Sequence, residues 1–383
     1  MKIAVVCDSF KGSLTSKDAC AAVKDGLLRC NKNFEVLSLP FADGGEGTSR
    51  CFYDILGGQL RKAAVHDPLL REITAEYTVL PDGTAVIDIA SASGLTLLKS
   101  SERDAVKVSS LGSGELICDA AEHGAKHIIL GLGGSATTDA GTGILYALGM
   151  RFFSEDGAEV LPDGQNMIRV KKIRRTENFE RFKDIKFTLA CDVTNPLCGE
   201  NGAAYVFSPQ KGALKNDVEL LDDGLRNIGE IFEKASGKKI INLPGAGAAG
   251  GIGGGLSAFL NCELQSGFDV LARAASLEDK IRRSDAVITG EGKTDRQTLF
   301  GKLPKRVSDI AEKFGVPCII LSGDVENDIS AEKLGVCEIH KIKENGISLE
   351  HCMKNAASLL SERAFAIGKD SKIINKQYNR KQE

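Results

Sequence analysis

One pattern constrains this chain more than any other: short apolar, β-branched runs break into loops dense in glycine, acidic and hydroxyl residues. The run 2–6 leads into Asp8-Ser9-Phe10-Lys11, and the run 34–39, closed by Pro40, leads into ADGGEGT at 42–48. HIILGL at 127–132 runs into GGSATTDAGTG, FTLACDV at 187–193 carries Asp192, and DAVITG at 285–290 runs into GEGKTD. In open α/β sheets, ligands bind at the carboxyl ends of the strands. Helical periodicity fills the intervals. Thr15 or Ser16 caps a helix to about residue 29, with Ala19, Ala22, Val23 and Leu27 on one face. Further helices are predicted near 113–123, over 217–235 with Gly237 as the stop, over 304–314, and over 348–366. EYTVL and TAVIDIA flank Pro81-Asp82-Gly83, a hairpin signal, so part of the structure is antiparallel. The polar, basic end from 369 onward is expected to fray.

Composition removes several function classes. Among 383 residues, 49 Lys+Arg against 52 Asp+Glu leave a net charge of −3, so nothing pulls the chain toward nucleic acid or an anionic membrane. With no Trp and five Tyr, stacking platforms for bases are not indicated. No apolar stretch reaches the ~18–20 residues of a membrane span, and the first apolar run is too short for a signal peptide. Eleven cysteines, an odd number without a CxxC pair, read as small buried hydrophobes in a reducing, cytoplasmic setting. Forty-two glycines, about 11% against a usual ~7%, are in excess and clustered, as where backbone approaches a ligand closely.

The loops point to phosphate chemistry. At 131–143, Gly133, Gly134, Ser135, Thr137 and Thr138 sit at a strand-to-helix turn, where amides and hydroxyls aim at one anion; Asp139 either holds a metal or caps the helix. PGAGAAGGIGGG at 244–255 contains GxGxxG (Gly245, Gly247, Gly250), with Asp269 nineteen residues on. Pro244 interrupts entry from a strand, so a dinucleotide fingerprint is discounted. A glycine wall (Gly250, Gly251) against a nucleotide or phosphate and plain close packing both stay open. Gly292-Lys293-Thr294 resembles the end of a Walker A loop, but Val287 stands where glycine is required. What remains there is Glu291 and Asp295, which suit a Mg²⁺–phosphate site or a solvated charged loop. Asp8, Asp43 and Asp192 follow strands and are candidates for taking a proton from a hydroxyl or binding metal; Lys11 can pair with a substrate carboxylate or phosphate. No zinc ligand set and no GxSxG elbow is present. The residues read as an α/β enzyme acting on phosphates with metal help, a small-molecule kinase. Two rivals are an NAD-dependent oxidoreductase, resting on the GxGxxG, and a small-anion binding protein, which the acid-rich loops argue against.

Seven segments in order, DSFKGSLTS, ADGGEGT, GLGGSATTDAGTG, ACDVTNPLCGENGA, SPQKGA, PGAGAAGGIGGG and ITGEGKTDRQTLFGK, resemble the bacterial glycerate kinases of the type 1 family. The resemblance runs from Lys2 to about Ala366. Ser208 stands where glycine is expected and Lys293 where arginine is common. The resemblance implies ATP-dependent phosphorylation of D-glycerate with Mg²⁺, giving 2-phosphoglycerate, with 3-phosphoglycerate as the alternative product. It implies a Rossmann- or flavodoxin-like parallel-sheet domain from 1–64 and 281–383, a second mixed-sheet α/β domain inserted at 65–280, and an active site in the interdomain cleft. On this basis Gly133, Gly134, Ser135, Thr137, Gly250 and Gly251 contact phosphate or nucleotide. Asp8, Ser9 and Lys11 contact glycerate, Asp192, Asp43 and Lys11 are catalytic, and Glu291, Asp295 and Asp43 hold metal. The partner expected is the small-molecule substrate, with no nucleic acid and no membrane; a homodimer stays open.

Overall fold

The computed structural model describes residues 1–344 and 346–380. The chain forms two compact units, Met1–Asp43 with Phe268–Glu383, and Gly44–Gly267.

The first unit is built on a five-stranded, wholly parallel sheet. Its strands lie in the spatial order Glu338–Lys341, Cys318–Ser322, Ala286–Gly290, Lys2–Cys7, Glu35–Pro40. Numbered along this unit and read from the Glu35–Pro40 edge, that order is 2-1-3-4-5, the flavodoxin-like winding. KIAVVC, AVITG and CIILS read as unbroken apolar runs because strands of such a sheet are covered on both faces. Ile3, Val5, Ile288, Ile319 and Leu321 are fully buried in one core cluster, each worth about 1.5–3 kcal/mol of transfer free energy. Helix Ser16–Cys30 is capped by the Thr15 side chain, which accepts from the Asp18 amide. It packs on helix Ala356–Asp370 so closely that a Cβ at Gly26 would lie 2.1 Å from the Ser361 carbonyl oxygen.

The second unit holds a six-stranded mixed sheet with its own core. The order is Asn261–Gln265, Lys186–Ala190, His127–Gly131, Ala85–Asp88, Glu72–Val79, Gln59–His66. The first four run parallel; the hairpin at 81–83 sets Glu72–Val79 antiparallel to Ala85–Asp88, as the turn residues predicted, and Gln59–His66 pairs antiparallel with Glu72–Val79. Strand His127–Gly131 is buried and aims its carboxyl end into the 132–139 loop.

Several sequence expectations need adjustment. The unit boundaries lie at 43/44 and 267/268, where the sequence reading put 64/65 and 280/281. Helix Thr48–Leu56 and strand Gln59–His66 go with the inserted unit: Ser49 Oγ donates to Thr78 Oγ1 and Val86 O (both 2.9 Å), and the strand pairs with Glu72–Val79. Phe268 instead packs on Phe41 and under the Arg306 guanidinium. The helix expected over 348–366 is two helices, Leu349–Lys354 and Ala356–Asp370, because Asn355 leaves helical geometry and bonds back to the His351 carbonyl. The C-terminal segment does not fray throughout: Lys372–Arg380 is helical, with Ile374 fully buried and Ser371 Oγ accepting the Ile373 and Ile374 amides.

Candidate active site

In the first unit, winding reverses between strands Lys2–Cys7 and Ala286–Gly290, the switch point at which such sheets open a crevice. Cys7 pairs with Gly290, so Asp8 and Glu291 leave the sheet side by side; the Asp8 amide donates to the Gly290 carbonyl (2.9 Å). A cavity of about 570 Å³ opens there, lined by Asp8, Ser9, Lys11, Asp43, Glu291 and Asp295, with Lys293, Lys302, Asp324 and Lys343 around them. The topology thus gathers Asp8, Lys11, Asp43, Glu291, Lys293 and Asp295 at one wall, whereas Asp269, the acid of the discounted dinucleotide pattern, pairs with Arg306.

The carboxylates are unevenly compensated. Glu291 is 5% exposed and accepts from Thr298 Oγ1 (2.6 Å), with Lys302 Nζ 3.8 Å from its other oxygen. Burial pushes its carboxyl up to about 7, and Asp8 and Asp295 add to the effect. Asp8 is partly exposed at the cavity wall, yet protein surrounds it closely enough that burial, then the charge of Asp43, raises it to about 6. Asp295 has structural duties: it caps helix Arg296–Leu299 by accepting from the Gln297 and Thr298 amides and pairs with Lys302 Nζ at 3.0 Å. Among the lysines, Lys293 pairs with Glu326, Lys302 with Asp295 and Lys343 with Asp324. Lys11 has no ion-pair partner among the described residues, which leaves it as the cation available to an anionic ligand.

In the second unit, the 132–139 loop is held from several sides. Gly133 donates its amide to the Gly44 carbonyl (3.0 Å), and a Cβ on it would meet Gly45 Cα at 2.5 Å. Its glycine therefore serves close approach, and its amide is not open to phosphate as the sequence reading expected. Ala136 donates to the Ser93 carbonyl. The amides of Gly134, Ser135 and Thr137 donate to no backbone acceptor among the described residues, and the buried Thr137 Oγ1 has no partner. Asp139 is a cap: its carboxylate accepts from Ser110 N (2.9 Å), Ser110 Oγ (2.7 Å), Gly141 N (3.0 Å) and Gly143 N (3.3 Å).

The glycine-rich 244–255 segment enters no strand–turn–helix unit. It forms the kinked helix Ala248–Phe259, with Ala249, Gly250 and Gly251 all in the left-handed region. Gly250 accepts from the Ala140 amide, and a Cβ there would lie 2.0 Å from the Thr137 carbonyl oxygen. Gly251 packs against Ala140. Close packing beneath the 137–140 backbone accounts for both residues. Asp192 is exposed, two residues past strand Lys186–Ala190.

Two residues escaped the sequence reading. Lys211, 3% exposed, donates to Ser135 Oγ (2.9 Å) and the Thr137 carbonyl (2.6 Å), and burial pushes its amine down to about 7. Its only sequence signal was its place in SPQKGA. Asp88, at the end of a buried strand, accepts the Gly47 and Ser49 amides (2.9 Å each) and anchors the 44–48 loop; burial raises it to about 7.

The sequence profile of the glycerate kinase family matches residues 3–372. A glycerate kinase of Halalkalibacterium halodurans is 38% identical over 364 residues, covering 94% of this chain and 96% of that protein. A glycerate 2-kinase of Escherichia coli is 40% identical over 330 residues, covering 86% and 87%. The crystal structure of a protein provisionally assigned as glycerate kinase 2 from Salmonella typhimurium superposes with a TM-score of 0.86 at 34% identity, over the whole of both chains. The match spans both units and both loop systems, and on it this chain belongs to the glycerate kinase family and is a kinase.

Proposed function

We propose that the chain transfers the γ-phosphoryl group of ATP to the 2-hydroxyl of D-glycerate, giving 2-phosphoglycerate and ADP, in the cytoplasm. The observation that carries this reading is the acid-rich cavity at the first unit's switch point with Lys11 as its uncommitted cation. A small hydroxy acid needs one cation for its carboxylate and one carboxylate near its hydroxyl, and this wall supplies both. The name of the Escherichia coli relative, a glycerate 2-kinase, favours the 2-position.

In the proposed reaction the glycerate oxygen forms a bond to the γ-phosphorus as the bond from that phosphorus to the β–γ bridging oxygen breaks. ADP leaves with that electron pair. Asp8 receives the hydroxyl proton: with its carboxyl near 6 it is ionised at neutral pH yet basic enough to accept. Asp43 keeps Asp8 basic, and Lys11 and Ser9 orient glycerate; Asp192, which the family resemblance marks as catalytic, is a further acid of the reaction. The amides of Gly134, Ser135 and Thr137 receive phosphate oxygens. A divalent cation fits the cavity, because the buried Glu291 and the closely surrounded Asp8 are acids without full compensation. Among the described residues, no three His, Cys, Asp or Glu side chains gather to hold a metal unaided. That suits Mg²⁺, which takes one or two carboxylates and fills its shell with phosphate oxygens and water. Glu291, with Asp43 or Asp295 as a second carboxylate, would hold it, and when bound it would neutralise charge on the phosphate oxygens.

The test is ADP release in a coupled assay with D-glycerate, followed by phosphorus NMR of the product. Activity should vanish with EDTA and return with Mg²⁺. ADP release no faster with D-glycerate than without it would sink the reading, and a 3-phosphoglycerate signal would correct the position.

A further inference from the structure

The geometry points to Lys211 as the positioning cation of a polyphosphate site formed by Ser135 and Thr137. This rests on the reading of the 133–138 loop as the phosphate-binding loop, and deepens it with a residue 74 positions beyond Thr137. An ammonium group only donates. Ser135 Oγ, 2.9 Å from Lys211 Nζ, must therefore accept, and its own hydrogen is left to point elsewhere. No acceptor for that hydrogen exists among the described residues. Thr137 Oγ1, in a fully buried residue, likewise lacks a partner. The same lysine also binds the Thr137 carbonyl at 2.6 Å, so one cation fixes both hydroxyl-bearing residues. With the three uncommitted amides, the loop offers up to five donors, a set that a phosphate group with several oxygens satisfies.

The charge is poised as well as the geometry. Asp139 is the carboxylate that acts on Lys211, but its oxygens are taken by Ser110, Gly141 and Gly143. The ammonium is thus buried without a direct counter-ion, and a bound anion would supply one. Lys211 acts through Ser135: it keeps the hydroxyl oxygen as acceptor and turns the hydrogen toward the ligand.

Inorganic tripolyphosphate is the probe, read by thermal shift at pH 7. Millimolar tripolyphosphate should raise the wild-type Tm by several degrees. Lys211→Met should lose that shift and raise KM for ATP at least tenfold, with KM for D-glycerate unchanged. A merely structural lysine would leave the two KM values in their wild-type ratio. Ser135→Ala, which keeps the lysine, should lose the same shift, and the double variant should be no worse than the poorer single one. If Lys211→Met does not fold, Ser135→Ala decides alone. An unshifted wild type, or a full shift in a folded Lys211→Met or in Ser135→Ala, overturns the inference. A wild type that binds tripolyphosphate but releases no ADP with D-glycerate refutes the proposed reaction and leaves the anion site standing.

Discussion

Replacing Lys211 by methionine should stabilise the protein near neutral pH even as it weakens ATP binding, and the size of the effect should depend on pH. Lys211 is 3% exposed, and burial lowers its amine from 10.5 to about 7. The sign follows from proton counting. Between pH 7 and 10.5 the unfolded chain binds a proton at this position that the folded chain lacks, so folding stability rises with pH across that window. Below pH 7 the penalty is complete, at most (10.5 − 7) × 1.36, or about 5 kcal/mol. Methionine removes this penalty but also two hydrogen bonds and leaves the Thr137 carbonyl unpaired, together about 2–4 kcal/mol. At pH 7 the variant should therefore be more stable by about 1–3 kcal/mol. The pH-dependent part is cleaner, because other titrating groups cancel between the two proteins. From pH 7 to pH 9 the wild type should gain about 2 kcal/mol relative to the variant. Urea unfolding of both proteins at the two pH values measures it. Parallel pH dependences would mean that Lys211 keeps an ordinary amine in the fold, and would refute the argument from burial.

Three other outcomes follow from the proposed roles and from the packing. Lys11→Ala and Asp192→Asn should each lower kcat/KM for D-glycerate by at least roughly a hundredfold in the coupled assay, and near-wild-type kinetics would remove either residue from the site. Gly250→Ala puts a Cβ 2.0 Å from the Thr137 carbonyl at a φ of +70°, so it should lower Tm by several degrees and raise KM for ATP; a silent substitution would show that the loop is not braced from beneath. Asp139→Asn turns an amide nitrogen toward backbone N–H donors in a fully buried position, which should cost about 2–4 kcal/mol in urea unfolding.

What the sequence alone determined is the periodic part. Parallel strands buried on both faces must be unbroken apolar runs, so KIAVVC, HIILG and CIILS were legible, and so were the acids and glycines that end them. The 81–83 hairpin and the Thr15 cap were legible because a turn or a cap is satisfied by residues a few positions away. Tertiary structure decided everything that depends on distant partners. Asp8 and Glu291 lie 283 positions apart and become neighbours only because strand Ala286–Gly290 pairs with strand Lys2–Cys7. For Gly250 and Gly251 the sequence left a ligand wall and close packing open, and the fold sets the 137–140 backbone against them. In sequence, Lys211 and Asp88 are ordinary charged residues. Burial changes their proton affinity, and burial is set by the whole fold rather than by neighbours along the chain.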